Sequence, residues 1–180
     1  AVPMPGLQNL LSYHGVSIRV QSPAGIRFKS GIERDVKKRL IAGNVDGCRL
    51  KEYGTLFITN ENREKYAFVK DGTKVGGGRA YWTENGKVYD KVFETVAGRN
   101  RFTSVLINLA PNMYAKDISF RAYAVLECGG QELIIYGPPV YKSVYTVAKQ
   151  VQAKGEFKPG SSGYRYVQGI IDSVEKKKLL

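Results

Sequence analysis

FRAYAVLECGGQELIIYG, residues 120–137, decides the fold. Extended back to Ile118, its first half is an apolar and aromatic run of strand length. Gly129-Gly130 turns that run directly onto a second one, Gln131–Gly137, with no room for a helix between them. Strands joined in this way form antiparallel sheets rather than the parallel sheet of a βαβ repeat.

The same reading extends in both directions. Upstream, residues 15–20 (GVSIRV), 25–32 (GIRFKSGI), 48–62 (CRLKEYGTLFITNEN) and 101–110 (RFTSVLINLA) read as strands, the third broken by Gly54 and closed by a turn at Asn60–Asn62. In the first two, Ile18, Val20, Ile26 and Phe28 fall on one face, and Arg19, Arg27 and Lys29 on the other. Residues 65–70 read as a further strand before an Asp71-Gly72 turn, and Gly76-Gly77-Gly78 as a flexible loop. Asn85-Gly86 is a strong hairpin signal. Leu7, Leu10 and Leu11 allow one short helical turn, and Ile32, Val36 and Leu40 predict a helix over about 32–42. After Pro138-Pro139 the period changes. Val140, Val144, Val147, Ala148 and Val151 predict an amphipathic helix over about 141–153. Tyr166, Val167, Ile170, Ile171 and Val174 line a last one. The expectation is a single α+β domain over 1–180, mainly an antiparallel β-sandwich of immunoglobulin-like architecture. It has a 1–14 N-terminal arm, a 15–137 sandwich holding one early helix, and two C-terminal helices in 138–180 packed on it.

The chain of 180 residues is long enough to bury a core without staples. It carries 28 Lys and Arg against 16 Asp and Glu, a net +12, which draws it toward anionic surfaces. No apolar run reaches the ~20 residues needed to span a bilayer as a helix. The start at Ala1-Val2-Pro3-Met4-Pro5 is consistent with processing such as removal of a secretory signal. Cys48 and Cys128 are too few for a disulfide framework; one bond between them and two buried thiols both remain open.

Five segments, 25–32 (GIRFKSGI), 52–57 (EYGTLF), 120–126 (FRAYAVL), 135–148 (IYGPPVYKSVYTVA) and 166–174 (YVQGIIDSV), follow one another in a familiar order. In that order the chain resembles β-sandwich modules of secreted and surface proteins of Gram-positive anaerobes. The resemblance spans nearly the whole chain, although each motif is short. It implies an extracellular, non-catalytic setting. The family has no assigned catalytic residues, so none carry over to this chain.

Site chemistry is sparse. His14 is the only histidine, so a histidine-based triad must use it, and a multi-histidine metal site is excluded. Its setting, SYHGV, reads as a polar turn. Carboxylates are scattered, with Glu52 the most suggestive as a member of a catalytic pair. Residues 70–79 (KDGTKVGGGR) are glycine-rich but lack the phosphate-loop spacing. Basic residues cluster at Arg34, Lys37, Lys38 and Arg39, at Arg99 and Arg101, and at Lys176, Lys177 and Lys178. These are candidates for an anionic surface; no nucleic-acid motif accompanies them, and nucleic acid is not expected. Tyr81, Trp82 and Tyr89 are the candidate glycan platform, because exposed aromatic rings stack on sugars.

These readings lead to one expectation and an alternative. The expectation is a non-catalytic extracellular structural or assembly module of a cell-surface or secreted structure, without cofactor or metal. It meets copies of itself, as an oligomer or filament, or the cell envelope, through strand edges, a basic face and its apolar ends, Ala1-Val2-Pro3 and Leu179-Leu180. The alternative is a module binding carbohydrate or an anionic wall polymer. A virion component is the other setting that sandwich modules of this kind allow.

Overall fold

The computed structural model describes residues 5–178. The apolar ends expected to hold neighbours lie outside the described residues, as do the side chains of Lys177 and Lys178. Helix α1 (Pro5–Gln8) leads into β1 (Leu11–Arg19), which turns onto β2 (Gly25–Glu33). Helix α2 (Arg34–Ile41), strand β3 (Cys48–Thr59) and helix α3 (Asn60–Arg63) follow. Next come β4 (Gly76–Glu84), β5 (Lys87–Asp90), β6 (Glu94–Val96) and β7 (Arg99–Ile107). After a 3-10 turn at Pro111–Met113 come β8 (Ile118–Cys128), β9 (Gln131–Tyr136) and β10 (Val140–Lys142). Helices α4 (Val144–Ala153) and α5 (Ser162–Lys178) close the described chain.

The fold is α+β with two antiparallel sheets. The first has the order β1-β2-β7-β6. The second runs β10-β8-β3-β4-β5, with β9 also paired to β8. The sheets share a core in which Tyr53 of β3 meets Phe102 of β7 edge-on at 4.8 Å. At one end of this core, Val36 and Leu40 of α2 join Leu10, Ile32 and Leu126. At the other end, Val147 and Val151 of α4 and Val167, Ile170 and Ile171 of α5 pack on Ile18, Ile26 and Phe120. Burying an aliphatic side chain of this size contributes about 1.5–3 kcal/mol, so each helix is held mainly by its apolar stripe.

Several boundaries differ from the periodicity. Strand β1 begins at Leu11, inside the expected arm, because Leu10 and Leu11 are core residues. Helix α2 starts only at Arg34. Ile32 still belongs to β2, and the Glu33 carboxylate caps the helix by accepting from the Val36 N–H at 2.6 Å. Ser143 caps α4 in the same way, accepting from the Thr146 N–H at 3.1 Å. The expected start at 141 therefore gives way to β10, which pairs with β8. Residues 65–70 form no strand. They cover the outer face of the second sheet, where Phe68 packs with Leu56, Ile58, Tyr123 and Val125.

The glycine run is the largest correction. Gly76, Gly77 and Gly78 are strand residues of β4, paired with Phe57, Leu56 and Thr55. A Cβ on Gly54 would overlap the Gly78 carbonyl oxygen, and one on Gly76 would enter the Phe57 ring. Here glycine serves close approach of two strands rather than flexibility.

Candidate functional site

The β4–β5 hairpin turns at Asn85-Gly86, both residues with positive φ, as a two-residue turn of matching twist requires. That register sets Trp82 opposite Tyr89. Their rings stack at 4.5 Å and 9°. Arg79 lies over the Trp82 ring at 4.7 Å and Lys91 at 5.4 Å, while Lys87 lies over Tyr89 at 5.1 Å. Tyr81 does not belong to this group. The strand period of two turns it inward, where it is buried and stacks on Tyr53 at 5.7 Å. The three-ring platform is thus a pair, and cations already lie over its rings.

Next to the pair lies a polar cleft of about 300 Å³, lined by Glu52, Lys70, Asp71, Arg79 and Tyr123 among others. Glu52 stands opposite Trp82 in the β3–β4 register. Its carboxylate accepts from the Tyr123 hydroxyl and lies 3.9 Å from Lys70 Nζ. Burial, then the bond to Glu52, pushes the Tyr123 hydroxyl far above its ordinary range. Tyr123 is therefore a fixed donor rather than a base. Lys70 is raised as well: burial works against its charge, but Asp71 and Glu52 outweigh it. The suggestive carboxylate of the sequence is thus held by a tyrosine and a lysine, with Asp71 the other acid of the cleft.

The histidine is not a turn residue. His14 sits in β1 beside an irregularity in the β1–β2 ladder. Its ring crosses β2 over Gly31, where a Cβ would collide with it. Its Nε2 is 2.7 Å from Ser12 Oγ, and its Nδ1 accepts from Arg101 Nε at 3.0 Å. Because guanidinium only donates, Nδ1 must be the bare nitrogen, and Nε2–H donates to the serine. A serine nucleophile needs the opposite tautomer, in which Nε2 takes its proton. Burial, then Arg101 and Arg99, lowers the His14 pKa.

Lys37 also leaves its expected set. It is buried, with its Nζ 2.7 Å from Asp90 Oδ2, and Asp90 Oδ1 accepts from the Tyr53 hydroxyl at 2.6 Å. This triad ties α2 to the edge strand β5 and leaves Lys37 no charge to offer outside. Arg34 pairs with Asp35, whereas Lys38 and Arg39 are exposed on α2. Lys176 is exposed on α5, against the other end of the core. Among the described residues, the basic clusters do not converge on one patch. Arg99 and Arg101 lie on the outer face of the first sheet, Arg101 paired with Glu94 and Arg99 donating to the Asn9 and Leu10 carbonyls.

Cys48 and Cys128 are opposite partners in the β3–β8 ladder, and their sulfurs are bonded. Among the described residues, no group of three or more His, Cys, Asp or Glu is placed to hold a metal ion. No helix among them is long and apolar enough to cross a membrane. Comparison of the chain with protein-family models, curated proteins and solved structures finds no match.

Proposed function

We propose that this chain is a non-catalytic extracellular module, an immunoglobulin-like sandwich that binds an acidic glycan on the outer face of its second sheet. The observation that carries this reading is the stack of Arg79 and Lys91 on Trp82, and of Lys87 on Tyr89. Cations resting on aromatic rings are pre-positioned, so less side-chain freedom is lost when an anion arrives. None of these three cations has a carboxylate partner among the described residues. A neutral sugar would have to displace them to reach the rings. A uronate would instead meet their charge, with its hydroxyls toward the polar cleft. The extracellular setting rests on the family resemblance. The non-catalytic reading rests on the tautomer of His14 and on the fixed proton of Tyr123.

The test is a titration of the protein with an oligouronate, read by the fluorescence of Trp82, the only tryptophan. A saturable change that weakens with salt and is lost in Arg79→Gln/Lys91→Gln supports the reading. An equal response to the matching neutral oligosaccharide refutes it.

A second reading, assembly with copies of the chain, is favoured by the edge where the two sheets meet. Val88 and Phe93 are 54% and 51% exposed there, beside Val92 and Val96, on the short edge strands β5 and β6 and their link. Exposed apolar edges are templates for strand pairing. Light scattering that shows concentration-dependent mass, lost in Val88→Lys/Phe93→Lys, supports this reading; constant mass removes it.

A further inference from the structure

The outer face of the first sheet carries one cation at each of five successive outward levels of β2. Arg19 of β1 stands opposite Gly25, and Arg27 and Lys29 follow on β2 itself. Arg101 of β7 stands opposite Gly31, and Arg99 opposite Glu33. The alternate residues Ile26, Phe28, Ser30 and Ile32 are buried in the core, which puts the odd-numbered set on the outer face, half-exposed except at Gly31, where the His14 ring covers the strand. At about 3.4 Å per residue the levels are about 7 Å apart, and the line covers roughly 27 Å along β2 as it crosses diagonally from β1 through β2 to β7.

The two central members are the informative ones. Arg19 donates to the Gln21 and Ser22 carbonyls, Arg99 to those of Asn9 and Leu10, and Arg101 pairs with Glu94. Arg27 and Lys29 have no hydrogen-bond or ion-pair partner among the described residues. The acids at these levels are already engaged: Glu94 by Arg101, and Glu33 by the cap of α2. Like charges along one strand face repel, so this arrangement costs stability unless an anion is shared between them.

We propose that this face binds a linear polyol-phosphate polymer, laid along the diagonal with its phosphodiesters on successive cations. Arginine forks, four of the five cations, match phosphate oxygens in pairs. Thr103 and Val105, beside Lys29 and Arg27, offer no ring, and the His14 ring over Gly31 is already held between Ser12 and Arg101, so the grip falls on the backbone charge rather than on base stacking. The site is independent of the proposed glycan site, which lies on the other sheet.

The experiment uses the full chain and a fluorescein-labelled glycerol-phosphate polymer, read by anisotropy between about 50 and 200 mM salt. The expected result is binding that falls with salt. Arg27→Gln/Lys29→Gln should weaken it roughly tenfold to a hundredfold at low salt and lower the salt slope by about two. Arg27→Lys, which keeps the charge but loses the fork, should keep the salt slope and weaken binding by less than Arg27→Gln/Lys29→Gln. Trp82 fluorescence should not change, and Arg79→Gln/Lys91→Gln should bind the polymer normally. Unchanged affinity and slope in Arg27→Gln/Lys29→Gln, with the variant's thermal unfolding intact, overturns the proposal. So does tighter binding of single-stranded DNA or polyglutamate. Loss in the Arg79→Gln/Lys91→Gln protein alone also overturns it, by moving the polymer to the second sheet.

Discussion

Removing Asp90 strands a buried lysine, and the cost should exceed that of removing the lysine itself. Lys37 is 5% exposed at its side chain and Asp90 30%, with 2.7 Å between the charged atoms. At an effective dielectric constant of ~20 the Coulomb attraction at this distance is about 6 kcal/mol, most of it offset by desolvation of the two groups. Breaking one side of a buried pair costs about 3–5 kcal/mol, because the survivor keeps its desolvation without its partner. Water reaches Asp90, so the lower end applies. Asp90→Ala also takes the acceptor from the buried Tyr53 hydroxyl. We expect Asp90→Ala to lose about 3–4 kcal/mol. Lys37→Met keeps the stem's packing and leaves the Tyr53–Asp90 bond in place, so it should lose about 1 kcal/mol or less. The double variant should recover part of the Asp90→Ala loss. Urea unfolding followed by circular dichroism gives all three values in one cycle. Equal single losses that add within about 0.5 kcal/mol would refute the asymmetry and the view of this pair as a buried unit.

Three further outcomes follow from the packing. Cys48→Ala/Cys128→Ala opens a closure of 80 residues, which the chain-entropy argument values at about 4.5 kcal/mol, so thermal unfolding should fall by roughly 10 °C or more; a fall under ~3 °C would contradict that account. Gly54→Ala drives a methyl into the Gly78 carbonyl and should cost more than ~3 kcal/mol or abolish folding, whereas Gly129→Ala, with open space around it and only the strain of its left-handed φ of 57° to bear, should cost about 1–2 kcal/mol and remain folded. Stability also depends on pH through His14. Its folded pKa lies below the ordinary 6.5, so the unfolded chain binds the proton more readily. The contribution is complete above pH 6.5, declines as pH falls through that value, and levels off below the folded pKa. His14→Gln should remove that step from a stability–pH curve, and an unchanged curve would count against the Arg101–His14–Ser12 contact.

The strand and helix periods were readable because they are local. Ile26 and Phe28 alternate with Arg27 and Lys29 whatever they pair with, and Val144, Val147, Ala148 and Val151 mark one stripe of α4 wherever it docks. Asn85-Gly86 likewise specifies its own turn by positive φ. What lay beyond the sequence was which residues meet from afar. Gly76–Gly78 has the composition of a loop, and only its pairing with β3 makes it a strand. Lys37 reads as one cation of a helix face until Asp90, 53 positions away, arrives beneath it. Trp82 and Tyr81 are adjacent in sequence, yet strand alternation against a particular core sends one outward and the other in. The diagonal of Arg19, Arg27, Lys29, Arg101 and Arg99 exists only in the register of three strands. Side-chain period is a property of the backbone and is written in the local sequence. Partner, register and burial depend on long-range packing, which the tertiary structure alone decides.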